Sequence, residues 1–170
     1  MTATIVELAT IVENQIKDKR DNVTAWPAKS KWSSSPGFVL EEFNVARSWM
    51  PMTELEEMPT GGQCWICMLA EDDMPSQSRT NTTRKEIPVQ IAFQKVVDHD
   101  DLTVMDSLAE MVEQLREVCR LEVDPDASSF SWIRNEALKD SNDVPFSYAG
   151  LREGGFFEAY FTAFFNYVLP

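Results

Sequence analysis

The run from Phe156 to Pro170, Phe156-Phe157-Glu158-Ala159-Tyr160-Phe161-Thr162-Ala163-Phe164-Phe165-Asn166-Tyr167-Val168-Leu169-Pro170, constrains the fold of this chain more than any other segment. Read with a period of two, Phe157, Ala159, Phe161, Ala163, Phe165 and Tyr167 share one face. Phe156, Tyr160, Phe164 and Val168 share the other, relieved only by Glu158, Thr162 and Asn166. Aromatic residues suit a pleated, packed surface, so the run predicts a long strand. A strand that is apolar on both sides needs cover on both. It is therefore either sandwiched inside the fold or presents one face to another subunit.

The rest of the chain supplies partners for such a strand. Thr4 and Glu7 make a capping box, and Ile5, Leu8, Val12 and Ile16 follow at helical spacing, which predicts a helix over residues 4–18. Lys17, Lys19 and Arg20 complement its negative end. Residues 21–37 have loop composition, with a short strand near Val23–Trp26. Alternation of Phe43, Val45 and Arg47 with Asn44, Ala46 and Ser48 predicts a strand over 38–49, stopped by Pro51. Thr53-Glu54-Leu55-Glu56 can cap one helical turn, and Pro59-Thr60-Gly61-Gly62 reverses the chain. Cys64–Ala70 and Ile87–Phe93 read as two strands of a hairpin, joined by an extended polar loop at 71–85.

Asp98–Asp101 is a turn, after which Met105, Leu108, Val112, Leu115 and Cys119 form one stripe of a second helix. Ser129–Asn135 predicts a strand with Phe130 and Trp132 on one face, and residues 139–155 are a second loop before the aromatic run. Residues 1–170 thus read as a single α+β domain. The expected architecture is a mostly antiparallel sheet with two main helices packed on one face.

Charge narrows the function classes. Fifteen Lys and Arg stand against 28 Asp and Glu, a net charge of −13. Such a surface repels nucleic acid and anionic membranes, which argues against a conventional DNA-binding domain. It remains compatible with a surface past which DNA slides without sticking. Three cysteines are an odd number for a disulfide framework, so a reducing cytosol is the simpler setting. Residues 1–20 carry Glu7 and Glu13 where a signal peptide would have an apolar block, and no apolar run approaches membrane-spanning length. The chain is expected to be soluble and to have no membrane partner.

Candidate chemistry is sparse. Cys64-Trp65-Ile66-Cys67 matches C-x-x-C, but in a strand residues three apart point to opposite sides, and Cys119 belongs to a helix stripe. Asp98-His99-Asp100-Asp101 can bind a cation or form an acid–base pair, but also reads as a solvated turn before a helix. Glu71-Asp72-Asp73 lacks the ligand spacing of a calcium loop. Nucleophile-elbow, P-loop and dinucleotide glycine patterns are absent. No catalytic residue, metal or cofactor is expected. The one break in acidity is Ser78-Arg79-Thr80-Asn81-Thr82-Thr83-Arg84-Lys85, either a solvated loop or an arm that docks on an acidic neighbour.

In this order the elements resemble the tail terminator (tail-completion) and neck proteins of long-tailed bacteriophages. The likeness runs through the helix at 4–18, Arg47-Ser48-Trp49-Met50-Pro51, the strand Trp65–Leu69, the loop at Ser78-Arg79, the strand Ile87–Phe93, the helix Leu102–Leu121 and the aromatic final strand. The resemblance implies a non-enzymatic virion protein, assembled in the host cytoplasm as a ring, usually a homohexamer. That ring would sit on the head-proximal end of the tail tube, end tube polymerisation and meet the head–tail connector, with DNA passing through its lumen. Arg79, Arg84, Lys85, Phe157, Phe161, Phe165 and Tyr167 are the expected contact residues between subunits or partners. Two readings from other classes remain: an acidic inhibitor module that masks a basic protein, and a metal-dependent hydrolase using carboxylates among Asp98, Asp100 and Asp101.

Overall fold

The first helix, α1 (Thr4–Asn22), turns Ile5, Leu8, Ala9, Val12 and Ile16 to the interior, as their spacing requires. It runs four residues past the expected end because Lys19 also points inward. That side chain is 3% exposed. Its Nζ donates to Thr24 Oγ1 at 3.2 Å and to the Ala25 carbonyl at 3.3 Å, and lies 4.7 Å from the Trp26 ring centre. A buried ammonium is tolerable only with such partners. Val23, with a φ of 45°, then breaks the helix in the left-handed conformation.

A computed structural model describes residues 4–49, 57–68, 84–98, 101–121, 130–138 and 155–168. Its remaining elements are β1 (Asn44–Ser48), β2 (Gln63–Met68), β3 (Arg84–Val96), α2 (Leu102–Leu121), β4 (Phe130–Leu138) and β5 (Phe156–Val168). The five strands form one sheet in the order β1-β2-β3-β5-β4. Only the β1–β2 pair is parallel. α1 packs on β1, β2 and β3, α2 packs on β4 and β5, and the helices touch each other, so both cover the same face. The fold is α+β, with a mostly antiparallel sheet.

Between α1 and β1 the chain differs from its expected form. The short strand near Val23–Trp26 reduces to a single bridge between Ala25 and Pro36. The strand expected over 38–49 forms only at 44–48. Residues ahead of it find other partners, since the Val39 amide donates to Gln114 Oε1 of α2 at 2.7 Å. Phe38 and Phe43 instead continue a line of rings, Trp32–Trp26–Phe38–Phe43–Phe93–Phe157, with neighbouring centres 5.2 to 6.5 Å apart. The indole N–H groups are satisfied too: Trp26 donates to the Gly37 carbonyl and Trp32 to Glu110.

β5 occupies the second-to-last place in the sheet. It pairs along all of β3, from Arg84 opposite Val168 to Val96 opposite Phe156, and along β4 on its other side. A bulge at Ile133 interrupts β4, because Trp132 pairs with Phe165 whereas Arg134 pairs with Phe164. Trp132 therefore stays with the helices, while Arg134 crosses to the opposite face.

Candidate functional site

The residues expected to make contacts between subunits lie in three different settings. Phe157, Phe161 and Phe165 are at most 1% exposed and sit in the core beneath the helices. Their interface role does not fit that place: the chain's own helices already cover the face on which they lie. Tyr167 is partly buried, stacked at 5.1 Å on Phe130. Arg84 and Lys85 are not at a loop tip but open β3, paired with Val168 and Tyr167, because the length of β5 extends the pairing beyond the alternating residues. Arg79 and the acidic run Glu71-Asp72-Asp73 lie outside the described residues, as do His99 and Asp100. β5 cannot extend the sheet into a neighbour, since both its edges are occupied.

The cysteines are separated as strand geometry demands. Cys64 stands opposite Phe93 and Cys67 opposite Gln90, on different faces of β2. All three thiols are free and buried. Burial pushes Cys67 up to about 11 and Cys119 up to about 12, and raises Cys64 as well, so each is a neutral thiol at physiological pH. Among the described residues no group of three or more His, Cys, Asp or Glu is placed to hold a metal ion. None of the described helices is long and apolar enough to cross a membrane.

The alternate set of the aromatic strand defines the more informative surface. Phe156, Tyr160 and Phe164 point away from the helices together with Trp65 of β2 and Pro88 of β3. All five are partly buried. Across the middle of this face runs a polar chain that ties three strands together. Trp65 Nε1 donates to Gln94 Oε1 at 3.0 Å, Gln94 Nε2 donates to Glu158 Oε1 at 2.6 Å, and the Tyr160 hydroxyl donates to the same carboxylate oxygen. Nearer β4, Arg134 lies 4.0 Å from the Phe164 ring centre and pairs with Glu136 at 2.7 Å and Glu86 at 2.8 Å. Its guanidinium thus spans β5 to reach β3.

Burial, and after it the hydrogen bond to and charge of Glu158, hold the Tyr160 phenol above its ordinary value of 10. A phenol whose folded-state value is raised contributes stability that is complete below the unfolded value and declines as pH rises above it. The melting temperature of the native protein should therefore fall more steeply above pH 10 than that of Tyr160→Phe. Parallel declines in the two proteins would separate Tyr160 from this network.

Among the described strands, the two at the ends of the sheet differ from one another. β1 is five residues long and β4 is nine. On β1, Arg47 is tied back to α1 through Glu13 Oε2 at 2.7 Å and Thr10 Oγ1 at 2.8 Å. Trp49, just past β1, is 64% exposed.

The alternation in the aromatic run marked Phe156, Tyr160 and Phe164 as a second face. Nothing in sequence spacing placed Trp65, Gln94 or Arg134 beside them, because those neighbours depend on strand order and on the bulge. These features define an α+β protein with one helix-covered sheet face and one aromatic, hydrogen-bonded face. No family model matches the chain, and comparison with curated proteins finds no relative.

Proposed function

We propose that this chain is a structural subunit of a long-tailed phage. It forms a ring, of six copies by the family pattern, at the head-proximal end of the tail tube, where it ends tube polymerisation and joins the head–tail connector. The observation that carries this reading is the sheet face turned away from both helices, with Trp65, Phe156, Tyr160 and Phe164 on it. Those four side chains are partly buried, and Cys67, Ala92, Gln94 and Thr162 on the same face are buried; aromatic residues in such a setting favour packing against protein over water. A ring further needs two unlike, complementary surfaces on each subunit. Among the described strands, the short β1 and the longer β4 stand at opposite ends of the sheet, which supports a reading with two unlike surfaces. Net charge of −13 suits a lumen through which DNA moves without adhering.

Light scattering on the purified protein, alone and with tail tubes, tests the reading. The expected species is a discrete ring of about six times the 19.4 kDa chain, or a monomer that becomes one on tubes. A chain that stays monomeric with tubes and connector overturns it. Salt-sensitive capture of a cationic nuclease by such a monomer would favour the inhibitor reading instead.

A further inference from the structure

Among the described residues, Trp49 is the one aromatic side chain that stands largely clear of the protein, at 64% exposed. Trp26 and Trp32 are buried, and Trp65 and Trp132 are partly so. The backbone that presents Trp49 is held in place. Ser48 closes the pairing of β1 with β2, and Arg47 is tied to Glu13 and Thr10 of α1. An indole kept in water costs free energy that contact with protein recovers, and Trp is prominent among the anchors of protein contacts.

The molecule also carries a place for an indole. At the C-terminal half of α2, against the loop of Lys29 and Lys31, lies an open cleft of about 340 Å³. Clefts of about 300 Å³ already take whole small molecules, so one side chain fits. One wall is Trp32, with the Lys31 ammonium 4.3 Å from its ring centre. Four cations line the cleft against two carboxylates. Those carboxylates are engaged, Glu113 by Lys31 and Glu117 by Arg120 at 2.6 Å. An anion would compete with them for the same cations. The face of an aromatic ring does not, because it attracts a cation whose hydrogen bonds stay in place. Arg116 adds charge alone: it lies 5.5 Å from the Phe161 ring centre, its Nε and Nη2 closed off from solvent without an acceptor.

We propose that this cleft receives Trp49 of a second copy of the chain, the indole lying against Trp32 between Lys29 and Arg120. The inference rests on the ring reading and names a contact between neighbours. No chain fills its own cleft. Trp49 follows β1 at one end of the sheet, whereas α2 covers β4 and β5 at the other, roughly 14–19 Å away at the spacing of paired strands. Knob and cleft are thus unlike surfaces on distant sides of one subunit, as a head-to-tail ring requires. Charge favours the same occupant, since a chain of −13 meets least repulsion from another copy where cations outnumber carboxylates.

Sedimentation velocity of the intact protein, from about 10 μM to about 1 mM, tests the contact. The expected result is reversible association with a Kd on the order of 0.1 mM or tighter. Trp49→Ser removes the knob, and Lys29→Glu with Arg120→Glu reverses the charge of the cleft. All three residues are exposed, so thermal melting should stay near that of the native protein. Each variant should self-associate about tenfold more weakly or worse. Mixed in equal amounts, the two should form one-to-one pairs, because each supplies the half that the other lacks. A native protein monomeric throughout, undiminished association of Trp49→Ser, or a mixture without pairs overturns the contact. Association that needs Trp49 but stops at two copies, with or without tail tubes, keeps the contact and overturns the ring. Rings that Trp49→Ser forms on tail tubes as readily as the native protein keep the ring and overturn the contact.

Discussion

Phe165→Asp should leave the protein largely unfolded, whereas Phe164→Asp, one residue away, should leave it folded. Phe165 is fully enclosed between Ile87 of β3 and Trp132 of β4, beneath the helices. Removing a buried phenylalanine costs about 3–5 kcal/mol, and an unpaired carboxylate in its place adds several more. That sum rivals the entire stability of a typical domain, about 5–15 kcal/mol. Phe164 looks the other way, partly exposed beneath the Arg134 guanidinium, so a carboxylate in its place keeps access to water and a cation nearby. Far-UV circular dichroism and melting curves separate the two variants. If Phe165→Asp melts as the native protein does, β5 is not placed as described. If the sheet face opposite the helices forms contacts in a ring, Phe164→Asp should remain a folded monomer in light scattering. The adjacent pair thus divides folding from assembly.

The second large effect is expected at the turn between Pro59 and Gly62. A Cβ on Gly61 would stand 1.8 Å from the Glu42 carbonyl oxygen and 2.4 Å from its carbon. Backbone cannot yield as a flexible side chain does, and the residues that follow Glu42 are fixed by pairing. The Asn44 amide donates to the Gly62 carbonyl at 2.9 Å, and from there β1 runs parallel to β2. Gly61→Ala should therefore cost roughly 3 kcal/mol or more, lowering the melting temperature by about 10 °C for a chain of this size. The loss should concentrate at the β1 edge, seen as faster amide exchange over 44–48 than over β3. A melting temperature within a degree or two of the native value would show that the turn is open at Glu42.

The parts of the fold that could be read from residues are those governed by local periodicity. The stripes of α1 and α2, the alternation of Ile87–Phe93 and the two-faced aromatic run all report burial directly, and each forms an element of the expected type. What could not be read depends on distant partners. The inward turn of Lys19 needs Thr24 and Ala25, which lie beyond the helix. The shortening of the strand at 38–49 reflects a hydrogen bond from Val39 to Gln114, 75 positions away. The start of β3 at Arg84 is set by the length of β5 rather than by its own composition.

The site was legible in the same uneven way. Period two separated Phe157, Phe161 and Phe165 from Phe156, Tyr160 and Phe164, but could not say which set the helices would cover. The more apolar set took the core, because its companions are the alanines Ala159 and Ala163 rather than Glu158, Thr162 and Asn166. Arg116 carried no signal at all. On a helical wheel it is one more charge at the edge of a stripe, and its unmet donors exist only in three dimensions.

The placement of β5 between β3 and β4 bears on how the polypeptide is made. β4 leaves the ribosome before β5 does, yet within the sheet its backbone partner is β5. The nascent chain therefore holds β3 and β4 as unsealed strands until the aromatic segment emerges from the exit tunnel. The sheet is therefore complete only after β5, the last of its five strands in chain order, has been made.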